Sequence, residues 1–405
     1  MIQKKIHKRL ELGKLKLNTL LEVTKAINNN SSKADLFNIY KQVIVEELSI
    51  GKLLLYTIND NSWERELCIG TSCNVIDIEK ELLQHQDIHL IVNPENQELK
   101  PFDVIVPVFH KSKPFAYLLL GDFDGEKIEV SPIIKHLPFI QTLTNLIVVA
   151  IENKRLFKAN LKQSVIKKEM ELASEMQQML LPKALPNNKN IEVAAKYIPH
   201  HMVGGDYYDF IRLNENEVAF CIADVSGKGV SAALLMSNFQ ASLRALVNRT
   251  ASLTELITEL NKNIINSANK EKFITAFIGK YNCTTKELQY INAGHNPPLL
   301  LIENQFKMLA DGCTLLGIFD ELPTLIESSI TIPDNTLLMC FTDGITEQTD
   351  KDGIEYGVDF LKTAILKNQT KSIATINEYI FNELAKFNAK KIHLDDMALL
   401  GLRFK

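Results

Sequence analysis

Acidic residues recur in this chain where strand-like runs begin or stop. The apolar run VAFCIAD ends at Asp224, TLLMCFTD ends at Asp343, and Asp395 with Asp396 opens the last run, MALLGLRF. Asp206 follows the pair Gly204-Gly205, and Asp224 precedes a loop carrying Gly227 and Gly229. One aspartate at such a place is ordinarily a turn former, because its carboxylate bonds nearby amides, and Asp343-Gly344 taken alone reads that way. Four such positions in one segment point to hard divalent cations, which require carboxylate oxygens and offset their mutual repulsion. Apolar strands would hold the acids rigidly, and glycines would let backbone carbonyls and bridging water approach. Two ions so held would turn water into a nucleophile and compensate charge on phosphate oxygens, with no protein nucleophile needed.

Other routes to the same chemistry lack their residues. There is no GxxxxGK[ST] phosphate loop and no HExxH helix. None of the cysteines has an arginine six positions later, and Ser226 lacks a GxSxG frame because Asp224 stands where the first glycine would.

The elements that must position these acids alternate from residue 191 onward. IEVAAKYI, VAFCIAD, FITAFIGKY, ELQYINAG, PPLLLI, SSITI, TLLMCFTD and MALLGLRF read as strands; residues 229–247, 356–366 and 373–387 read as helices. Strands in consecutive runs imply largely antiparallel sheets with helices on their outer faces. Before residue 160 a mixed module shows a helical pattern at 36–48 and the strand candidates KLLLYTI, WERELCIG, FDVIVPVF and FAYLLLGDF. Its apolar residues are accounted for by core packing. Between the two, residues 133–181 read as one long helix, with Pro138 near its start and Val165, Leu172, Met176 and Met179 on a seam that Glu169 interrupts. That seam suits either a short parallel coiled coil or a single amphipathic helix packed on a neighbouring domain. The prolines of LPKALPNN end it.

With 45 basic and 49 acidic residues in 405, the charge is too balanced to imply nucleic acid. The basic stretch at 4–16, with Ile6, Leu10 and Leu17 among its charges, reads first as a solvated helix face and second as a membrane-surface helix. Six cysteines (Cys68, Cys73, Cys221, Cys283, Cys313, Cys340) form no CxxC pair, and no signal-peptide core is visible, so a cytoplasmic protein is expected. The longest continuous apolar stretch, 146–151, is too short for a membrane span.

GGDYYDF, ADVSGKG, INAGHNPPLL, FTDGITE and DDMALL, in this order and spacing, resemble the bacterial SpoIIE/RsbU-type branch of the metal-dependent (PPM) serine/threonine protein phosphatases. The resemblance covers residues 181–405, and ELASEMQQMLLP before it is similar to that branch's helical lead-in. The first module is similar in strand and helix order to a GAF sensor domain. The implied fold class is α+β: a C-terminal αββα sandwich of two antiparallel sheets flanked by helices, preceded by a GAF-like α/β domain and a long helical linker. The expected segments are an N-terminal helix (1–20), the GAF-like domain (21–150), the linker (151–185) and the phosphatase domain (186–405).

The resemblance also implies residue roles. Asp224 would bridge two magnesium or manganese ions, the Val225 carbonyl would be a further ligand, and Asp206, Asp343 and Asp395 would complete the shells directly or through water. Asp209 and Asp396 would orient ligands or bound waters, and Gly204, Gly205, Gly227 and Gly229 would shape the backbone. His295 reads as a turn or core histidine before a catalytic one. Eukaryotic relatives carry a histidine two residues after the bridging aspartate; Ser226 stands there, which leaves water as the available proton donor. Ala398 replaces a frequent threonine, losing its hydroxyl bond, and no arginine is assignable to the substrate phosphate. The implied substrate is a phosphoserine or phosphothreonine protein resembling an anti-anti-sigma factor. A ligand or partner at the first domain and a homodimer through the linker would regulate it. Two other readings remain: a non-catalytic docking protein with a phosphatase fold, and a small-molecule phosphomonoesterase.

Overall fold

The computed structural model describes residues 2–59, 62–72, 76–92, 94–110, 113–121, 132–388 and 395–405. Two compact units divide the chain, Met1–Ser164 and Val165–Lys405.

The first unit opens with helix α1 (Ile2–Asn28) and helix α2 (Lys33–Lys41), which runs on as a π-helical turn to Glu47. Ser32 starts α2 through a reciprocal capping box with Asp35, satisfying two amides that a helix start leaves open. Strands β1 (Lys52–Asn59) and β2 (Ser62–Ile69), the short helix α3 (Ile78–Glu81), and strands β3 (His89–Leu90), β4 (Val104–His110) and β5 (Lys113–Gly121) follow. They form one antiparallel sheet in the order β2-β1-β5-β4-β3. Strand alternation sends Leu53 and Leu55 to one face and Leu54 and Tyr56 to the other. The first face packs on α1, α2 and the start of helix α4 (Pro132–Gln178) through Val23, Leu36, Tyr40, Ile140, Leu143 and Ile147. The second is covered by Ile78, Leu82, Leu99 and Phe102.

Two features bear on the membrane-span and cysteine readings. By length and composition, one helix among the described residues, within Ile133–Gln178, is apolar enough to cross a membrane, although the longest uninterrupted stretch is short. Its residues Ile133, Ile140, Leu143, Ile147 and Val148 are buried in the first unit's core, as in a core helix. Cys68 is disulfide-bonded, whereas Cys221, Cys283, Cys313 and Cys340 are free thiols and Cys73 lies outside the described residues.

The second unit stacks two sheets. One contains β7 (Tyr207–Arg212), β8 (Glu217–Val225), β9 (Ile274–Asn282), β10 (Glu287–Ala293), β13 (Gly312–Cys313) and β14 (Ser328–Thr331), ordered β13-β10-β9-β8-β7 with β14 also on β10. The other contains β6 (Ile191–Ile198), β11 (Leu299–Ile302), β12 (Gln305–Met308), β15 (Leu337–Phe341) and β16 (Met397–Phe404), ordered β12-β11-β15-β16-β6. Pairing is antiparallel except between β10 and β13. Phe220, Ile222, Phe277, Tyr290, Leu338, Leu400 and Leu402 fill the layer between the sheets. Helices α5 (Val230–Leu246) and α6 (Leu253–Ala268) cover the first sheet, and α8 (Gly357–Asn368) with α9 (Ile373–Phe387) covers the second. A one-turn helix, α7 (Asp343–Thr346), follows β15. This is the expected αββα sandwich. Strand β7 and helix α6 were not among the elements read from the sequence, although α6 carries the usual marks of one. Ser252 caps it, and Leu253, Leu256, Ile257, Leu260 and Ile264 recur on one face.

Candidate active site

The acids meet because the strand pleat has a period of two and every relevant strand ends at the same edge of the sandwich. On β8, Phe220 and Ile222 point into the inter-sheet layer while Cys221, Ala223 and Val225 face α5 and α6. The next residue on the inward side is Asp224. The same parity carries the inward rows Tyr208–Phe210 back to Asp206, Leu338–Cys340 on to Thr342, and Ala398–Leu400 back to Asp396. The C-terminal ends of β8 and β15 and the approaches to β7 and β16 thus deliver polar groups to one mouth of an apolar layer. Asp224, Asp343 and Asp395 line a cleft of about 420 Å³ there, with Val225, Lys228, Thr275 and His295.

Burial and like charge shape these carboxyls. Asp206 is 2% exposed, and burial with the neighbouring charges of Asp224 and Asp396 pushes its carboxyl well above the usual carboxylate range. Asp224 is pushed up to about 7 by burial and then by Asp343 and Asp395. Burial and Asp395 also raise Asp343. Against these acids the cleft lining offers one cation among the described residues, Lys228, whose Nζ lies 2.8 Å from Asp395. That contact raises the Lys228 ammonium above its ordinary value.

Hydrogen bonds fix the rest. The Thr342 hydroxyl donates to Asp206 at 2.7 Å and accepts from the Ala398 amide at 2.8 Å. The carboxylate of Asp396 accepts from the amides of His200 (2.7 Å) and Gly205 (2.6 Å), pinning the loop before β7. The side chain of Gln177, in the last turn of α4, donates to the Gly204 carbonyl (2.6 Å) and accepts from the Gly204 amide (3.0 Å). A Cβ on Gly204 would stand 2.2 Å from Asp396 Oδ2, and one on Gly344 would stand 1.9 Å from the Asp396 carbonyl, so only glycine lets these strand ends close. Gly205 lies against the Val225 carbonyl. In the loop after Asp224, Gly227 and Gly229 have φ of 91° and 72°, which side-chain-bearing residues rarely adopt.

Four expected site residues are therefore brought together: Asp206, Asp224, Asp343 and Asp395, with the Val225 carbonyl beside them. Asp396 is close but spent on backbone amides. Asp209 is not brought to the cluster. It has the opposite parity on β7, is fully buried toward α5, and takes bonds from Arg244 (2.7 and 3.0 Å) and the Tyr207 hydroxyl (2.5 Å). It clamps sheet to helix, so the role of orienting ligands or waters does not suit its position. His295 is buried; its amide donates to Asn292, its Nδ1 lies 3.0 Å from Thr275 Oγ1, and burial pulls its ring down to about 4, which keeps it neutral near pH 7. The Ser226 hydroxyl accepts from the Phe273 amide at 2.8 Å and serves the backbone.

Sequence reasoning passed over Lys228, Thr342 and Gln177. Lys228 stands inside the quoted ADVSGKG, but a lysine beside glycines has no special signal. Thr342 supplies the inward hydroxyl that was thought lost at Ala398, from the strand next door.

The donor set suits hard divalent cations: several oxygen ligands, mutually destabilised, with a lysine ammonium standing where positive charge is needed. Among the described residues no three acidic, histidine or cysteine side chains yet stand close enough to grip one ion.

A raised folded-state carboxyl binds protons that the unfolded chain has released, so it destabilises the fold as pH rises. In chelator, thermal melting should therefore fall as pH rises from about 4, near the ordinary carboxylate value, to about 7. Excess manganese should cancel the fall, and Asp224→Asn should flatten it while raising the melting temperature of the metal-free protein. Scanning calorimetry across that range checks this.

Comparison with known proteins agrees with the geometry. Residues 214–405 match the family described as Stage II sporulation protein E (SpoIIE). Over 245 residues the chain is 29% identical to phosphoserine phosphatase RsbU of Bacillus subtilis (strain 168), covering 60% of this chain and 72% of RsbU. Over 325 residues it is 26% identical to protein IcfG of Synechocystis, covering 73% of this chain and 51% of IcfG, about half that protein's length. In fold it is similar to the SiaA-PP2C domain of Pseudomonas aeruginosa, with a TM-score of 0.55, 17% identity, and coverage of 60% of this chain and 99% of that one. Inward-facing acids at one sandwich edge thus accompany a match of residues 214–405 to the SpoIIE family and a sequence similarity to RsbU and IcfG, and the fold of the C-terminal part is that of the SiaA-PP2C domain.

Proposed function

We propose that this protein is a cytoplasmic, metal-dependent serine/threonine phosphatase acting on a phosphorylated partner protein of the anti-anti-sigma-factor kind. The observation that carries the proposal is the convergence of Asp224, Asp343 and Asp395 at one cleft, with Asp206 buried beside Asp224 and Lys228 as the one cation of the lining among the described residues. The phosphoserine phosphatase RsbU, 29% identical, supports the substrate class. Asp206, Asp224, Asp343, Asp395 and the Val225 carbonyl would hold two divalent cations, magnesium or manganese, which when bound would activate water and offset phosphate charge.

The chain's own groups do the remaining work. Lys228, whose ammonium lies at the cleft 2.8 Å from Asp395, would bind the substrate phosphate, the role for which no arginine is assignable. His295, neutral and bonded to Thr275, shapes the cleft wall opposite Asp224, with which Thr275 is paired in register. With Ser226 committed to the backbone, solvent in the open cleft supplies the leaving-group proton. The cleft suits a phosphorylated residue presented on a protein surface more than an enclosed metabolite.

Regulation would run through α4. In this reading the first unit is a GAF-like sensor, and its signal acts on the Gln177–Gly204 pair that holds the Asp206 loop. Leu161, Val165, Leu172 and Met176 are exposed on α4 and Met179 just beyond its end, which supports a homodimer through that helix.

With p-nitrophenyl phosphate and manganese, Asp224→Asn should abolish turnover. Lys228→Met should raise KM about 10- to 100-fold, matching the loss of a charged hydrogen bond, and Lys228→Arg should restore most of it. No turnover with any divalent ion would sink the catalytic reading. Gln177→Ala should weaken manganese affinity about 10- to 100-fold, the usual cost of losing a group that orients ligands, as read by calorimetric titration; unchanged affinity would remove the helix from metal-site assembly. Sedimentation should show a dimer that Leu172→Glu dissociates, and a wild-type monomer would exclude the linker dimer.

A further inference from the structure

The first unit contains a cavity of about 300 Å³ between α2, the end of β1, the middle of β2, the start of β5 and the α4 residues Val148–Lys158. Its floor is apolar, made by Leu36, Phe37, Phe115, Val148 and Ile151. The rim is charged and largely self-satisfied: Glu66 accepts from Lys33 (2.6 Å) and Thr57 (2.9 Å), and Arg155 bonds Glu152 (2.8 Å) and Asn59 (2.6 Å). Lys154 donates to the carbonyls of Asn30 and Ser31 beyond the end of α1. Both rim acids are thus already matched by cations, and Lys158 adds positive charge with no ion pair among the described residues.

We infer that this cavity binds a small organic acid, its apolar body on the Phe37–Phe115 floor and its carboxylate at the rim beside Lys158. A metal is disfavoured because the two acids are committed to Lys33 and Arg155. A nucleotide is disfavoured because the lining holds no glycine-rich phosphate loop and the floor is aliphatic and phenyl surface without amide partners. A neutral apolar molecule would fill the floor but leave the rim's excess cation in water. The wall formed by Val148–Lys158 belongs to the helix that continues to Gln177, so occupancy bears on the element that holds the Asp206 loop.

The test uses the full chain and two acids of suitable size, 3-phenylpropionate and octanoate, each against its alcohol, by calorimetric titration. Binding is read without any phosphatase assay, so it stands or falls apart from the catalytic reading. At least one acid should bind, and at least 10-fold more tightly than its alcohol. Lys158→Glu, at an exposed position, should weaken the acid at least 10-fold and leave the alcohol unchanged, and Ile151→Trp should remove both by filling the space. Failure of both acids to bind, equal affinity for acid and alcohol, or undiminished acid binding in Lys158→Glu would overturn the inference.

Discussion

Repulsion among carboxylates held at a desolvated mouth is the constraint on which the second unit depends. Two packed sheets create an apolar layer about as dry as any protein interior, and the residues just past its edge inherit both the rigidity of the strands and the loss of water. Asp206 and Asp224 respond by shifting toward the protonated state. An arrangement this unfavourable persists only because the rest of the sandwich is held firmly by burial elsewhere, and strongly shifted carboxyls of this kind cluster at functional sites.

Several features make sense as means of holding that arrangement in place. The amides of His200 and Gly205 consume the charge of Asp396, so one of the five acids works as a clasp. Thr342 ties Asp206 to the neighbouring strand, and the missing Cβ atoms of Gly204 and Gly344 let three chain segments approach more closely than side chains would allow. Lys228 supplies positive charge at the cleft from a loop whose glycines adopt left-handed backbone. The Gln177 amide reaches this same loop system from the last turn of a helix that begins in the first unit, and so joins the long helix to the acids by two hydrogen bonds.

The residues misplaced by sequence reasoning share one cause. Asp209 lies three positions from Asp206 and looks like its companion in GGDYYDF, yet an odd separation on a pleated strand turns it to the other face, where Arg244 from α5 meets it. Thr342 stands beside Asp343 and was unremarked, although its parity gives it the inward direction. Helix α6 is legible from its cap and its apolar spacing, whereas the partners of Asp209 and Asp396, 35 and 191 residues away, carry no local signal.

Local pattern determined much of this protein. Apolar alternation placed most strands, glycine and proline marked the turns, and the aspartates at run ends announced a carboxylate site. Five ordered motifs were enough to name the family branch. Tertiary structure alone decided which acids share the cleft, which one is a clasp, that the SGKG lysine faces Asp395, and that a cavity opens beneath α4. The physical reason is that sequence spacing fixes side-chain direction along one strand, while strand order, register and the closing of two sheets fix which distant directions coincide.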